Sequence, residues 1–237
     1  MKPESPAMRL SKAANAHPAA VGSQAPRVLG QARLAAMAVA CALLCGCSLL
    51  GGGTRGQTTI YAPDPRISAD PSWPTVQWQL TISPATAARM IDSLRIAVRP
   101  TPGELQVYKG ASWSKPPTQM LEDAVLRGLE DSGRIGAVAR QGSGIDGDYK
   151  LVMDLRRFEA DYAGAVIPAA VIEVNAKLLH PIDQQVVAAR TFIVKQPTAS
   201  TGVGDVSASF DAALGDIAQQ IDGWVLVTGQ QHEQQPH

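Results

Sequence analysis

After position 47 the chain has no cysteine. Cys41, Cys45 and Cys47 all lie in one short stretch, so the rest has no thiol for a disulfide, a thiolate nucleophile or a zinc site. Histidine is equally uninformative. His17, His180, His232 and His237 show no metal-ligand spacing, and no G-x-S-x-G elbow marks a nucleophile. There is no excess of positive charge, because 21 Lys and Arg balance 21 Asp and Glu. Nucleic-acid binders need a basic patch or stripe, so that class is excluded. A long apolar run is missing too. Residues 34–44 are apolar, but a membrane-spanning helix needs about 20 such residues.

That short apolar run fits another purpose. A secretory leader has a basic segment, about 7–15 apolar residues and a small residue before the cut. Arg27 and Arg33 supply the charge, and Leu44-Cys45-Gly46-Cys47 closes the run in the manner of a bacterial lipobox. Cys41 follows Ala38-Val39-Ala40 but leaves only seven apolar residues before it, and bulky Leu44 precedes Cys45. The expectation is a signal peptide over residues 1–46 and lipidation of Cys47. The basic segment is long, so either translation starts at Met8 or the leader is extended. The leader carries five Lys or Arg and one Glu, leaving 16 basic and 20 acidic groups, net −4.

Composition divides the remainder. Gly51-Gly52-Gly53, Pro63, Pro65, Pro71 and Pro74 mark residues 47–74 as the lipidated cysteine and a Gly/Pro-rich tether, with Tyr61 and Trp73 able to pin parts of it. Residues 75–228 read as one domain, and residues 229–237, rich in Gln and His, as a disordered tail. Alternation predicts strands over 78–82, 94–99, 105–108, 149–159, 169–179 and 185–195, the last two forming a hairpin through His180-Pro181-Ile182-Asp183. A helix starts after Pro116-Pro117 with Thr118 as its cap and ends at Gly133. A second carries the stripe Phe210, Leu214, Ile217, Ile221 and Trp224, capped by Asp205 or Ser207. The predicted class is α+β, a two-layer domain with a mostly antiparallel sheet and two amphipathic helices.

Few motifs could carry chemistry. Gly142-Ser143-Gly144-Ile145-Asp146-Gly147 spells G-x-G-x-x-G, but the segment after it alternates like a strand, where a dinucleotide site needs a helix. Asp146, Asp148 and Asp154 lack the other ligands of a calcium loop. No cofactor, no metal and no catalytic residue is expected. Tyr108 and Trp113 stand in an irregular stretch closed by Pro116-Pro117. They are candidate partner-binding residues; alternatively, Trp113 lids the core beside the first helix.

Together these segments resemble the auxiliary lipoproteins of ABC-type transport systems, of the paraquat-inducible protein C kind. The resemblance rests on residues 94–100, Val107-Tyr108 with Trp113 and Pro116-Pro117, Asp148-Tyr149-Lys150-Leu151 with Phe158, Arg190-Thr191-Phe192, and a last helix ending in Trp224, all behind a lipobox. The stretch 61–74 is longer than that pattern. The resemblance implies a non-enzymatic protein working with an MCE-domain tunnel protein, an inner-membrane permease and an ATPase that move phospholipid between membranes. With Ser48 and no Asp after Cys47, the sorting rule of enteric bacteria implies the outer membrane. A homo-oligomeric ring of anchored subunits at the tunnel exit would add avidity. A small-ligand or envelope-assembly lipoprotein remains the alternative.

Overall fold

The computed structural model describes residues 57–235 apart from Gln184. The leader, Cys47 and the Gly51-Gly52-Gly53 run lie outside the described residues. Strands β1 (Thr59–Tyr61), β2 (Gln79–Ile82), β3 (Thr86–Ala87), β4 (Arg95–Arg99) and β5 (Gln106–Trp113) precede helix α1 (Pro117–Ser132). Then follow β6 (Ala137–Arg140), β7 (Tyr149–Asp161), β8 (Ala169–His180), β9 (Gln185–Pro197) and helix α2 (Val203–Glu233).

The strands form one sheet with β7 in its middle. Alternation along β7 buries Tyr149, Leu151, Met153 and Leu155 on one face and leaves Asp154 and Arg156 exposed on the other. A register shift between Leu155 and Arg157 then places Phe158 on the core side. One edge of β7 carries the antiparallel meander β7–β8–β9, including the expected hairpin. Along the other edge β2, β3 and β4 take successive stretches, all parallel to β7. β6 extends β2, while β5 and then β1 extend β4. The α+β class holds: the longest ladders and the short β4–β5 pairing are antiparallel, and the other short pairings are parallel.

Both helices lie on one face of this sheet, and their apolar stripes close the core. Their caps differ from expectation. Thr118 lies inside the first turn of α1, where Asp92 from the loop before β4 accepts from its amide (3.3 Å) and hydroxyl (2.7 Å). A carboxylate from elsewhere in the chain thus takes the capping role that sequence alone assigns to a neighbour. Gly133 ends α1 at φ +61°, as expected. Gly202 occupies the N-cap position of α2, and Asp205 in its first turn is held by Ser200.

Two boundaries also move. Residues assigned to the tether belong to the domain: β1 pairs with β5, and Tyr61, Pro63, Pro65, Ile67 and Ala69 alternate inward. Prolines cannot donate to a ladder, so this strap lies along α2 rather than entering the sheet. Asp64 donates its amide to Asp211 (2.6 Å), and Ser68 accepts from Gln219 (3.0 Å). Pro65 faces Gly215, Trp73 faces Gly223 and Trp78 faces Gly229, so strap and helix advance together. The tail assignment fails for the same reason. Gly229 is held beneath the Trp78 ring and α2 runs on to Glu233.

The glycines separate packing from propensity. A Cβ on Gly223 would lie 2.5 Å from the Trp73 Nε1, and one on Gly229 would overlap the Trp78 ring. Gly223→Ala and Gly229→Ala are each expected to destabilise by about 1–3 kcal/mol in urea unfolding. Gly204→Ala meets nothing within 4 Å and should stabilise by roughly 0.5–1 kcal/mol.

Candidate functional site

Trp113 closes β5 and is 1% exposed. Its indole meets Phe158 of β7 edge-on at 5.8 Å and Phe210 of α2 at 5.2 Å, while Phe158 and Phe210 stack at 4.6 Å. Such geometries suit the ring quadrupoles. Of the two roles open to Trp113, the structure selects the lid: it joins sheet to helix and offers no surface to a partner. Tyr108 is half-buried on the same strand and packs against the core. Burial, reinforced by the adjoining Tyr162 phenol, pushes its hydroxyl well above the usual tyrosine range. The two candidates therefore do not form one exposed aromatic patch.

An ion cluster between β4 and β7 was concealed by the alternation along β7. Glu159 is fully buried and accepts from Arg99 Nε (2.7 Å), Arg99 Nη2 (3.0 Å) and Arg157 Nε (2.7 Å). Arg157 also pairs with Asp161 (2.5 Å). Burial opposes the charge on Asp161, but hydrogen bonds from Arg157 and the Ala163 amide hold its carboxyl below the usual range. Two guanidinium groups and two carboxylates balance, so the cluster ties β4 to β7 without leaving net charge. A buried pair with its hydrogen bonds filled is strongly destabilising to break.

The far end of β7 is held differently. Tyr149 is buried, and its hydroxyl reaches His232 Nδ1 (2.8 Å) and Glu233 Oε1 (2.7 Å) in the last turn of α2. Trp78 meets the Tyr149 ring at 4.9 Å, and His180 pairs with Asp183 (3.1 Å). Sequence reasoning dismissed His180 and His232 for want of spacing; folding brings their rings within 5.3 Å. Among the described residues no three His, Cys, Asp or Glu are arranged to hold a metal ion. The glycine-rich string 142–147 joins β6 to β7, strand to strand.

A shallow cleft of about 410 Å³ lies between the strap, α2 and β9, with Trp73, Trp224, Val227 and Arg190 on its walls. Arg190 stands over the Phe192 ring at 4.8 Å. The least expected side chain is Asp222, fully buried where α2 crosses α1. A Cβ on Gly128 would overlap its Oδ2, and neither carboxyl oxygen has a hydrogen-bond partner among the described residues. Burial therefore raises its affinity for the proton far above that of an ordinary aspartate.

A family model for ABC-type transport auxiliary lipoprotein components matches residues 59–222, from the first residue of β1 to Asp222 in α2. The chain belongs to this family. A crystal structure of a Xanthomonas campestris protein is 57% identical, covering 75% of this chain and all of that one with a TM-score of 0.73. Another solved protein, 16% identical over 67% of this chain and 97% of its own, shares the fold at a TM-score of 0.52. An uncharacterised protein of Bradyrhizobium diazoefficiens is 23% identical over 184 residues, 76% of this chain and 48% of its own length. The chain thus spans about half the length of that relative. Among the described residues no helix is long and apolar enough to cross a membrane.

Trp113→Ala should lower unfolding free energy by about 3–5 kcal/mol, whereas Tyr108→Phe, which keeps the ring, should stay within about 1 kcal/mol. For Asp222 the folded-state pKa lies above the unfolded value of about 3.9, so its contribution worsens as pH rises past about 4. Stability measured at several pH values should place Asp222→Asn increasingly above wild type, by up to about 1.4 kcal/mol per pH unit. The gap should level off beyond the folded pKa.

Proposed function

We propose that this auxiliary lipoprotein is a non-catalytic adaptor of an intermembrane phospholipid transport system. It is held at the periplasmic face of the outer membrane by acyl chains on Cys47, and it docks the distal end of an MCE-domain tunnel served by an inner-membrane permease and ATPase. The family match carries the reading, because it spans the sheet, α1 and most of α2 rather than one motif. The buried polar groups support it as well. Glu159, Arg157 and Tyr149 are consumed in joining elements of the fold, so none is free to act on a substrate. Two or more acyl chains give stable anchoring where one gives only marginal binding.

Cys47→Ala should release the protein from the membrane fraction and remove the acyl mass from its N-terminal peptide. Pull-down with the processed wild-type chain should recover the MCE-domain protein. Recovery of outer-membrane assembly or peptidoglycan components in its place would overturn the transport role and leave a general envelope lipoprotein.

A further inference from the structure

The turn between β7 and β8 is unusual for a hairpin tip. Residues 162–168 read Tyr-Ala-Gly-Ala-Val-Ile-Pro, with no charge and no amide side chain. Val166 is 86% exposed and Ile167 45%. The β4–β5 and β8–β9 turns, by contrast, carry Glu104 and Asp183. Isolated exposed apolar residues are ordinary on a protein surface, whereas adjacent ones on an uncharged projecting loop mark a contact site.

The backbone of this tip is firmly built. The Ala165 amide donates to the Tyr162 carbonyl (2.7 Å), and the Ala163 amide donates to Asp161 Oδ1 (2.9 Å). Ala163 has φ +47° and Gly164 φ +85°. Asn, Asp or Gly enters that left-handed region more readily than alanine, so the chain keeps this position apolar at the expense of strain. Tyr162 stands at the base beside Tyr108, and Asp161 is clamped by Arg157.

Topology fixes which end of the sheet this is. β7 runs toward the tip, β4 runs parallel to β7, β5 antiparallel to β4, and β1 parallel to β5. β1 therefore runs away from the end that carries the tip, and its first residue, Thr59, is the one of its three that lies toward that end. Nine residues separate Cys47 from Gln57, a covalent span of at most about 35 Å. The sequence-derived tether through residue 74 would have left the domain's orientation open. With the strap folded onto α2, that short covalent span from Gln57 is all that separates the domain from the proposed anchor.

We propose that residues 162–168 are a membrane-contact tip, which inserts Val166 and Ile167 into the headgroup–acyl boundary of the bilayer that holds the acyl chains of Cys47. This rests on the anchor described under the proposed function. Apolar side chains partition to that depth, while Tyr162 at the base packs against the core beside Tyr108 and steadies the loop that carries them. The tip would set the domain upright, so that its opposite end, with Ile182 and the last turn of α2, points away from the membrane.

The absence of cysteine beyond position 47 makes the test clean. Acylated protein carrying Ala165→Cys or Ile182→Cys is labelled with an environment-sensitive dye and reconstituted in phosphatidylethanolamine–phosphatidylglycerol vesicles. Lipid-borne nitroxide should quench the label at 165 at least twofold more than the label at 182. Adding Val166→Asp and Ile167→Asp should bring the first down to the second. A label at 165 as wet as that at 182, on protein whose mass shows the acyl chains, overturns the tip alone. Equal strong quenching at both positions overturns the upright orientation. Protein without acyl mass overturns the anchor, and with it the geometry used here.

Discussion

Close approach between the strap and α2 governs how this domain is assembled. Pro65, Trp73 and Trp78 each lie over a glycine of the helix, at Gly215, Gly223 and Gly229. Glycine in a helix interior lowers helix stability by about 1 kcal/mol relative to alanine. Here the loss is offset by burying two indole rings that otherwise have nowhere to go. One face of α2 rests on β8 and β9, and the strap covers another part of it, so a helix of 31 residues remains helical to Glu233. Most of a helix's stability in a folded protein comes from such tertiary packing rather than from propensity.

The ends of β7 complete the frame. At one end Trp113, Phe158 and Phe210 lock sheet to helix, while Arg99, Arg157, Glu159 and Asp161 lock β4 to β7. At the other Tyr149 binds the last turn of α2 through His232 and Glu233. These interactions spend polar and aromatic residues on rigidity. That rigidity would suit the adaptor role proposed above. Asp222 is the exception, a fully buried carboxyl between the helices with no hydrogen-bond partner among the described residues, whose burial favours its protonated form.

The consequence for the envelope is geometric. Once residues 59–78 join the folded unit, the stretch between Cys47 and the domain shortens to nine residues, and under the proposed anchoring the domain would stay near the bilayer. In the proposed role, such placement would let docking occur at a defined height. The uncharged tip at the end of β7 offers the second contact that would turn a leash into an orientation.

Much of the fold was legible from local pattern. The three long strands, the β8–β9 hairpin, the Gly133 helix stop and the stripe from Phe210 to Ile221 are all short-range signals. They follow from side-chain periodicity and turn chemistry, which act over a few residues. Whatever depended on distant partners stayed hidden. Asp92 capping α1, the strap on α2 and His232 reaching Tyr149 each join residues far apart in sequence. Proline-rich composition resembles a tether until a groove of glycines receives it, and a Gln- and His-rich ending resembles a free tail until a buried tyrosine binds it. The sequence by itself determined the envelope class and the α+β layers, because both are written in local chemistry. Only the tertiary structure decided which residues are inside, because burial is a property of the partner a residue meets.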